Sequence, residues 1–203
     1  MIGLEHISTY LGKMQVGMTT HIVCSGGACS VIYLKNRSTT HDIDFFTPNV
    51  EVIEAVMEAK EKAPDYIKDT WPSDWINAEM IAFVSNRPGC ETLYQNSIDC
   101  EVILFKSDSL VVYAADWRYQ LVGKIVRAYQ ISQLSGTHQA EERTGKDLSD
   151  AVSIMRHLIS RHGRPLLKVE LLTWYADGPT LEDAEIAYVN TEYKHLNGMV
   201  GIV

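Results

Sequence analysis

The sequence predicts an α+β chain in which a mixed sheet with flanking helices fills the first half and helices alone fill the second. Three observations lead there. Residues 21–34 run from an apolar strand through the small-residue turn Ser25-Gly26-Gly27-Ala28 into a helix. Residues 42–46, 98–105 and 110–114 have the length and the β-branched and aromatic content of strands. From Asp116 onward, apolar residues recur at spacings of three and four, the period of a helix with one buried face. The boundary falls near residue 115, giving an α/β core over 1–115 and a helical subdomain over 116–203 packed on it.

Taken in order, Leu4, Ile7, Leu11 and Met14 predict an amphipathic helix over 3–16, stopped at Gly17. Residues 21–25 are the first strand and 28–34 the helix it feeds, ended by Asn36 and Arg37. After the strand at 42–46, Thr47-Pro48 reads as a cap followed by a proline in the first helical position. Val52, Ile53, Val56 and Met57 give that helix its buried face, to about Ala63. Residues 64–77 are irregular, with Trp71, Trp75 and Ile76 expected to pack on the sheet. Residues 79–85 fit a third strand or a helix end, and 86–96, with Pro88-Gly89, a loop. The strand at 98–105 turns through Ser107-Asp108-Ser109 into a hairpin partner at 110–114.

In the second half, Trp117, Leu121, Ile125 and Ala128 line one helix. Leu148, Ala151, Val152, Met155 and Ile159 line another, ended by Gly163 and Pro165. A third short helix is expected over 166–175, and a fourth behind the capping-box pattern Thr180-Leu181-Glu182-Asp183.

Composition narrows the function. The chain has 203 residues and a formal net charge of −8, which argues against a broad grip on nucleic acid, since that needs a basic surface. Cys24, Cys29, Cys90 and Cys100 form no C-x-x-C pair; with Cys24 and Cys100 in apolar runs, they read as buried thiols of a reducing compartment. No apolar run approaches a membrane span and no basic leader opens the sequence, so a cytoplasmic protein without a membrane partner is expected.

Chemistry concentrates between residues 24 and 46. Asp42 and Asp44 are spaced i, i+2 on a strand, so both carboxylates face one way while Ile43 and Phe45 face the other. Two carboxylates so placed repel unless a cation sits between them, and Mg²⁺ fits through one or two carboxylates plus substrate phosphates. Gly26 and Gly27 carry no side chains, so a phosphate can approach their backbone and meet the N–H groups that open the following helix. The guanidinium of Arg37 suits either the aspartates or a phosphate.

Ser25-Gly26-Gly27, Arg37 and Asp42-Ile43-Asp44 together resemble the GG/GS…DxD signature of the nucleotidyltransferase superfamily. They are closest to the branch of abortive-infection toxin nucleotidyltransferases and their small relatives. The resemblance implies a nucleotidyltransferase fold for the first half, with a nucleoside triphosphate as co-substrate and Mg²⁺ as cofactor. It implies Ser25, Gly26, Gly27 and Arg37 for nucleotide binding and Asp42 and Asp44 as metal ligands. It also implies a third carboxylate on a strand beside the DxD strand, for which Glu101 and then Asp99 are the candidates. Lys124, Arg143, Lys146, Asp147 and Asp150 resemble the K…R…(K)D…D region that follows the core in the toxin-like branch. By that resemblance Lys124 is a triphosphate ligand and Asp147 an active-site acid; Arg143 sits further from Lys124 than the compact spacing of the branch.

The expected activity is Mg²⁺-dependent transfer of a nucleoside monophosphate, from ATP or another triphosphate, to an acceptor hydroxyl on a small molecule, a protein or tRNA. Two alternatives stand beside it: a nucleotidyltransferase-fold protein that binds a nucleotide, small molecule or protein without turnover, and a toxin held by a cognate antitoxin.

Overall fold

The computed structural model describes residues 2–14, 18–85, 89–134, 138–175 and 181–203. The chain is α+β and divides into two compact units, Met1–Asn86 with Glu91–Asp116, and Arg87–Cys90 with Trp117–Val203. No helix among the described residues is long and apolar enough to cross a membrane.

In chain order the first unit contains α1 (Ile2–Met14), β1 (Thr20–Ser25), α2 (Gly27–Cys29) running on into a π-turn over Ser30–Leu34, and β2 (Ile43–Phe46). There follow α3 (Val50–Glu61), α4 (Asp65–Lys68), β3 (Ile76–Asn77), α5 (Met80–Val84), α6 (Leu93–Asp99), β4 (Ile103–Lys106) and β5 (Leu110–Ala114). The five strands make one sheet in the order β3-β2-β1-β5-β4. The central strand β1 pairs antiparallel with β2 and parallel with β5. Its consecutive residues Ile22, Val23 and Cys24 are all 0% exposed, so β1 is covered on both faces. That is why it reads as an unbroken apolar run rather than an alternating one.

The first helix keeps the predicted buried face at Leu4, Ile7 and Leu11, while Met14 is exposed; its expected stop, Gly17, lies outside the described residues. A Cβ on Gly3 would stand 2.5 Å from Trp71 and 2.6 Å from Trp75, so the two tryptophans close on the start of α1. The cap of α3 is not Thr47-Pro48 but Asn49, whose Oδ1 accepts the N–H groups of Glu51 at 2.9 Å and Val52 at 3.4 Å. Asparagine is among the strongest N-cap residues because its short side chain reaches the N–H groups one turn ahead.

The expected strand over 98–105 is two elements. Helix α6 holds 93–99, taking in residues expected as loop, and Glu101 then turns the chain with φ 55 before β4 begins at Ile103. An apolar run cannot by itself separate a helix end from a strand, and a left-handed glutamate gives no warning in the sequence. Cys100 falls in this turn and is only partly buried. Residues 80–84 are helical, which decides the ambiguity at 79–85. The hairpin β4–β5 forms as predicted.

The second unit is helical: α7 (Trp117–Ser132), α8 (His138–His162), α9 (Lys168–Leu171) and α10 (Asp183–Asn197). Trp117, Leu121, Ile125 and Ala128 are buried, as are Ala151, Val152 and Met155. Gly163, with φ 68, closes α8. The helix expected over 166–175 shrinks to α9, because Leu166 is drawn into a parallel bridge with Ile202. That bridge places the apolar tail, which Asn190 also fastens by accepting the N–H of Ile202 at 2.9 Å. Thr180 lies outside the described residues; at the start of α10 Glu185 Oε2 accepts the Glu182 N–H at 2.9 Å.

Candidate functional site

The turn after β1 is where the two halves of the motif meet. Gly26 has φ 71 and ψ −136, a backbone conformation that side-chain-bearing residues rarely adopt. A Cβ there would lie 3.4 Å from Asp44 Oδ2, and Ser25 stands opposite Asp44 in the β1–β2 register. A Cβ on Gly27 would lie 2.0 Å from Thr40 Oγ1, 2.9 Å from Thr40 Cβ and 3.9 Å from Arg37 Nη1. Thr40 therefore occupies the space that a side chain at Gly27 would need, with Arg37 in ordinary contact beside it. The chain returns there because the π-turn ends at Lys35, whose φ of 54 swings the backbone out of the helix and into the loop that carries Arg37 and Thr40.

Thr40 Oγ1 lies 3.3 Å from Asp42 Oδ1 and 3.2 Å from the Asp42 carbonyl oxygen. Of the adjacent threonines 39 and 40, it is the second that meets the aspartate. Strand β2 begins at Ile43, so Asp42 sits one residue before the ladder, and both aspartates are half-buried. Ser25, Gly26, Gly27, Arg37, Asp42 and Asp44 thus gather at one end of β1 and β2.

Asn77 carries no mark in the sequence. It stands opposite Asp44 in the parallel β2–β3 register and is 9% exposed. Its Nδ2 donates to Asp44 Oδ1 at 2.9 Å, and its Oδ1 accepts the Glu79 N–H at 3.0 Å. Only the register exposes this role, because β3 is two residues long and carries no motif.

The third carboxylate expected beside the DxD strand is not at Glu101 or Asp99. Glu101 is exposed in the left-handed turn, and Asp99 is exposed at the end of α6, where it accepts Gln95 Nε2 at 2.7 Å. The strand that follows them, β4, lies at the sheet edge, separated from β2 by β5 and β1. Beneath the turn, Cys29 Sγ donates to the Cys24 carbonyl at 3.2 Å. Burial pushes the Cys24 thiol well above its ordinary value, with Cys29 and Asp44 adding to it, so Cys24 is held as an inert thiol.

In the second unit Lys124 and Asp147 do meet, but around a closed charge cluster. Lys124 Nζ lies 2.6 Å from Asp147 Oδ1 and 2.6 Å from Asp150 Oδ2, with the lysine side chain 7% exposed. Arg127, absent from the predicted set, reaches Asp147 through Nε and Nη2, each at 3.1 Å. Burial alone would raise the Asp147 carboxyl, but Lys124 and Arg127 outweigh it and hold the group below the ordinary carboxylate range. The amine of Lys124, expected to reach a triphosphate, is thus bound between two carboxylates. Lys146 pairs at the surface with Glu142, and Arg143 is exposed. Trp117, on the apolar face of α7, is 2% exposed and packs against His157.

The donor set at the turn suits a hard cation. Asp42 and Asp44 offer carboxylate oxygens beside the Thr40 hydroxyl, which itself covers Gly27. Among the described residues no group of three or more His, Cys, Asp or Glu comes together as a metal cage. Two carboxylates with the remaining positions left to substrate and water are a usual arrangement for Mg²⁺. No family model, no curated protein and no solved structure matches the chain.

Proposed function

We propose that this protein is a Mg²⁺-dependent nucleotidyltransferase that moves a nucleoside monophosphate from a triphosphate to an acceptor hydroxyl. One observation supports the reading: the Cβ position of Gly26 lies 3.4 Å from Asp44 Oδ2, so the glycine turn and the DxD end of β2 face each other at van der Waals distance. The β- and γ-phosphates would lie along the backbone of Gly26, with the Ser25 hydroxyl donating to them and the Arg37 guanidinium balancing their charge; at Gly27 they would have to displace Thr40. The acceptor oxygen bonds to the α-phosphorus, the bond from that phosphorus to its bridging oxygen breaks, pyrophosphate leaves and the hydroxyl proton passes to a base. Asp42 and Asp44 would hold Mg²⁺, which when bound would supply charge stabilisation for the transfer. In the first unit acidic residues outnumber basic ones more than two to one, which favours a compact acceptor over a long polyanion.

A second reading, nucleotide binding without turnover, is favoured by two particulars. The strand beside β2 presents Asn77 rather than a carboxylate, and Lys124 is engaged by Asp147 and Asp150.

The test is calorimetric titration with ATP, GTP, CTP and UTP, each with and without Mg²⁺, on the wild type and on Asp42→Asn/Asp44→Asn. Metal-dependent binding of a triphosphate that is lost in the double variant is expected. An unchanged affinity in that variant sinks the metal-site reading, and pyrophosphate release measured alongside separates transfer from binding alone.

A further inference from the structure

We infer that Asn77 is a positioning residue that fixes which oxygen of Asp44 faces a cation at the glycine turn; this rests on the nucleotide reading of that turn. The amide of Asn77 has only one orientation compatible with its neighbours. A backbone N–H can only donate, so the atom facing Glu79 N at 3.0 Å must be the carbonyl oxygen Oδ1. The NH₂ group is thereby turned to Asp44, and it donates to Oδ1 at 2.9 Å. It also lies 3.4 Å from the Asp74 carbonyl, a second acceptor consistent with the same orientation. The other carboxylate oxygen, Oδ2, is the one that lies 3.4 Å from the Cβ position of Gly26. Asp44 therefore presents one oxygen to the turn while the other is held by a nearly buried amide on the neighbouring strand. A ligating carboxylate whose second oxygen is hydrogen-bonded keeps its orientation, and loss of such a partner typically weakens metal affinity about 10–100-fold.

Asn77 has two separable jobs, and serine divides them. The bond from Oδ1 to an N–H two residues on is a local turn that a serine hydroxyl also makes, but serine is too short to reach Asp44 across the strands. The experiment is Mn²⁺ binding by electron paramagnetic resonance, together with ATP affinity with and without Mn²⁺, on wild type and Asn77→Ser. The inference predicts that Asn77→Ser melts close to wild type and keeps its metal-free ATP affinity. Its Mn²⁺ affinity, and the enhancement of ATP binding by Mn²⁺, should fall about 10–100-fold. Unchanged Mn²⁺ affinity, or equal losses with and without metal, would overturn it in favour of a purely structural asparagine. If Asn77→Ser does not fold, Asn77→Thr supplies the same hydroxyl on a strand-favouring side chain that is equally too short to reach Asp44; Mn²⁺ affinity unchanged in that variant overturns the inference equally. A wild type that binds neither Mn²⁺ nor ATP would bring down the nucleotide reading itself, a result distinct from an intact wild-type site that ignores Asn77.

Discussion

The two units each gather charge in a different way. At the end of β2 two carboxylates of like sign stand half-buried, two residues apart, beside a turn stripped of side chains. Between α7 and α8 two carboxylates are matched by Lys124 and Arg127, and Asp150 is 0% exposed. Lys124 and both carboxylates are buried while the Arg127 side chain is 56% exposed, so removing the lysine strands buried negative charge. Asp42 and Asp44 are met instead by neutral groups, the Thr40 hydroxyl and the Asn77 amide. The same residue types serve as a clamp in one place and, on the proposed nucleotide reading, as a receptor in the other.

The sharpest way to break this comparison is Lys124→Ala. A clamp loses about 3–5 kcal/mol, a drop in melting temperature on the order of 10 °C. A variant that melts normally but loses triphosphate affinity would move Lys124 from the clamp to the phosphate site. Asp42→Asn/Asp44→Asn should do the reverse, abolishing metal-dependent binding while the melting temperature holds or rises, because like charges have been removed.

Gly27→Ala probes the turn by volume. Its methyl must displace Thr40, an overpacking worth about 1–3 kcal/mol, and pairing it with Thr40→Gly should recover part of the loss, a coupling that distant residues would not show. The smallest effect is acid sensitivity. Asp147 has a lowered carboxyl pKa in the folded chain, so the stability it contributes is complete above its ordinary value and disappears as pH falls through the lower folded value. Helical circular dichroism should show a loss setting in below about pH 4, and Asp147→Asn should remove that part of the profile.

Much of the site was legible because its parts are local. Ser25, the glycine pair, Arg37 and Asp42-Ile43-Asp44 lie within twenty residues, and small residues and strand alternation both leave marks on sequence. Asn77 left none, since its meaning comes from parallel pairing with a strand 33 positions away. Glu101 misled for the opposite reason: its neighbours alternate like a strand, and only the left-handed turn between α6 and β4 removes it from the sheet. The helical half was readable in its buried stripes at Trp117, Leu121 and Ile125. The ion cluster was half-seen, because Arg127 reaches Asp147 from a helix face that the apolar stripe does not mark.

The pairing of β1 also governs when the site can come into being. Its antiparallel partner β2 follows within one connection, but its parallel partner β5 is remote, Thr20 lying beside Leu110 and Cys24 beside Ala114. Closing so long a loop before any contact rewards it slows folding, and a nascent chain extends by roughly 5–20 residues per second. The strand that ends in the glycine turn therefore waits several seconds on the ribosome with one edge open. A peptide ending before residue 110 should fail to form the turn, however complete its motif.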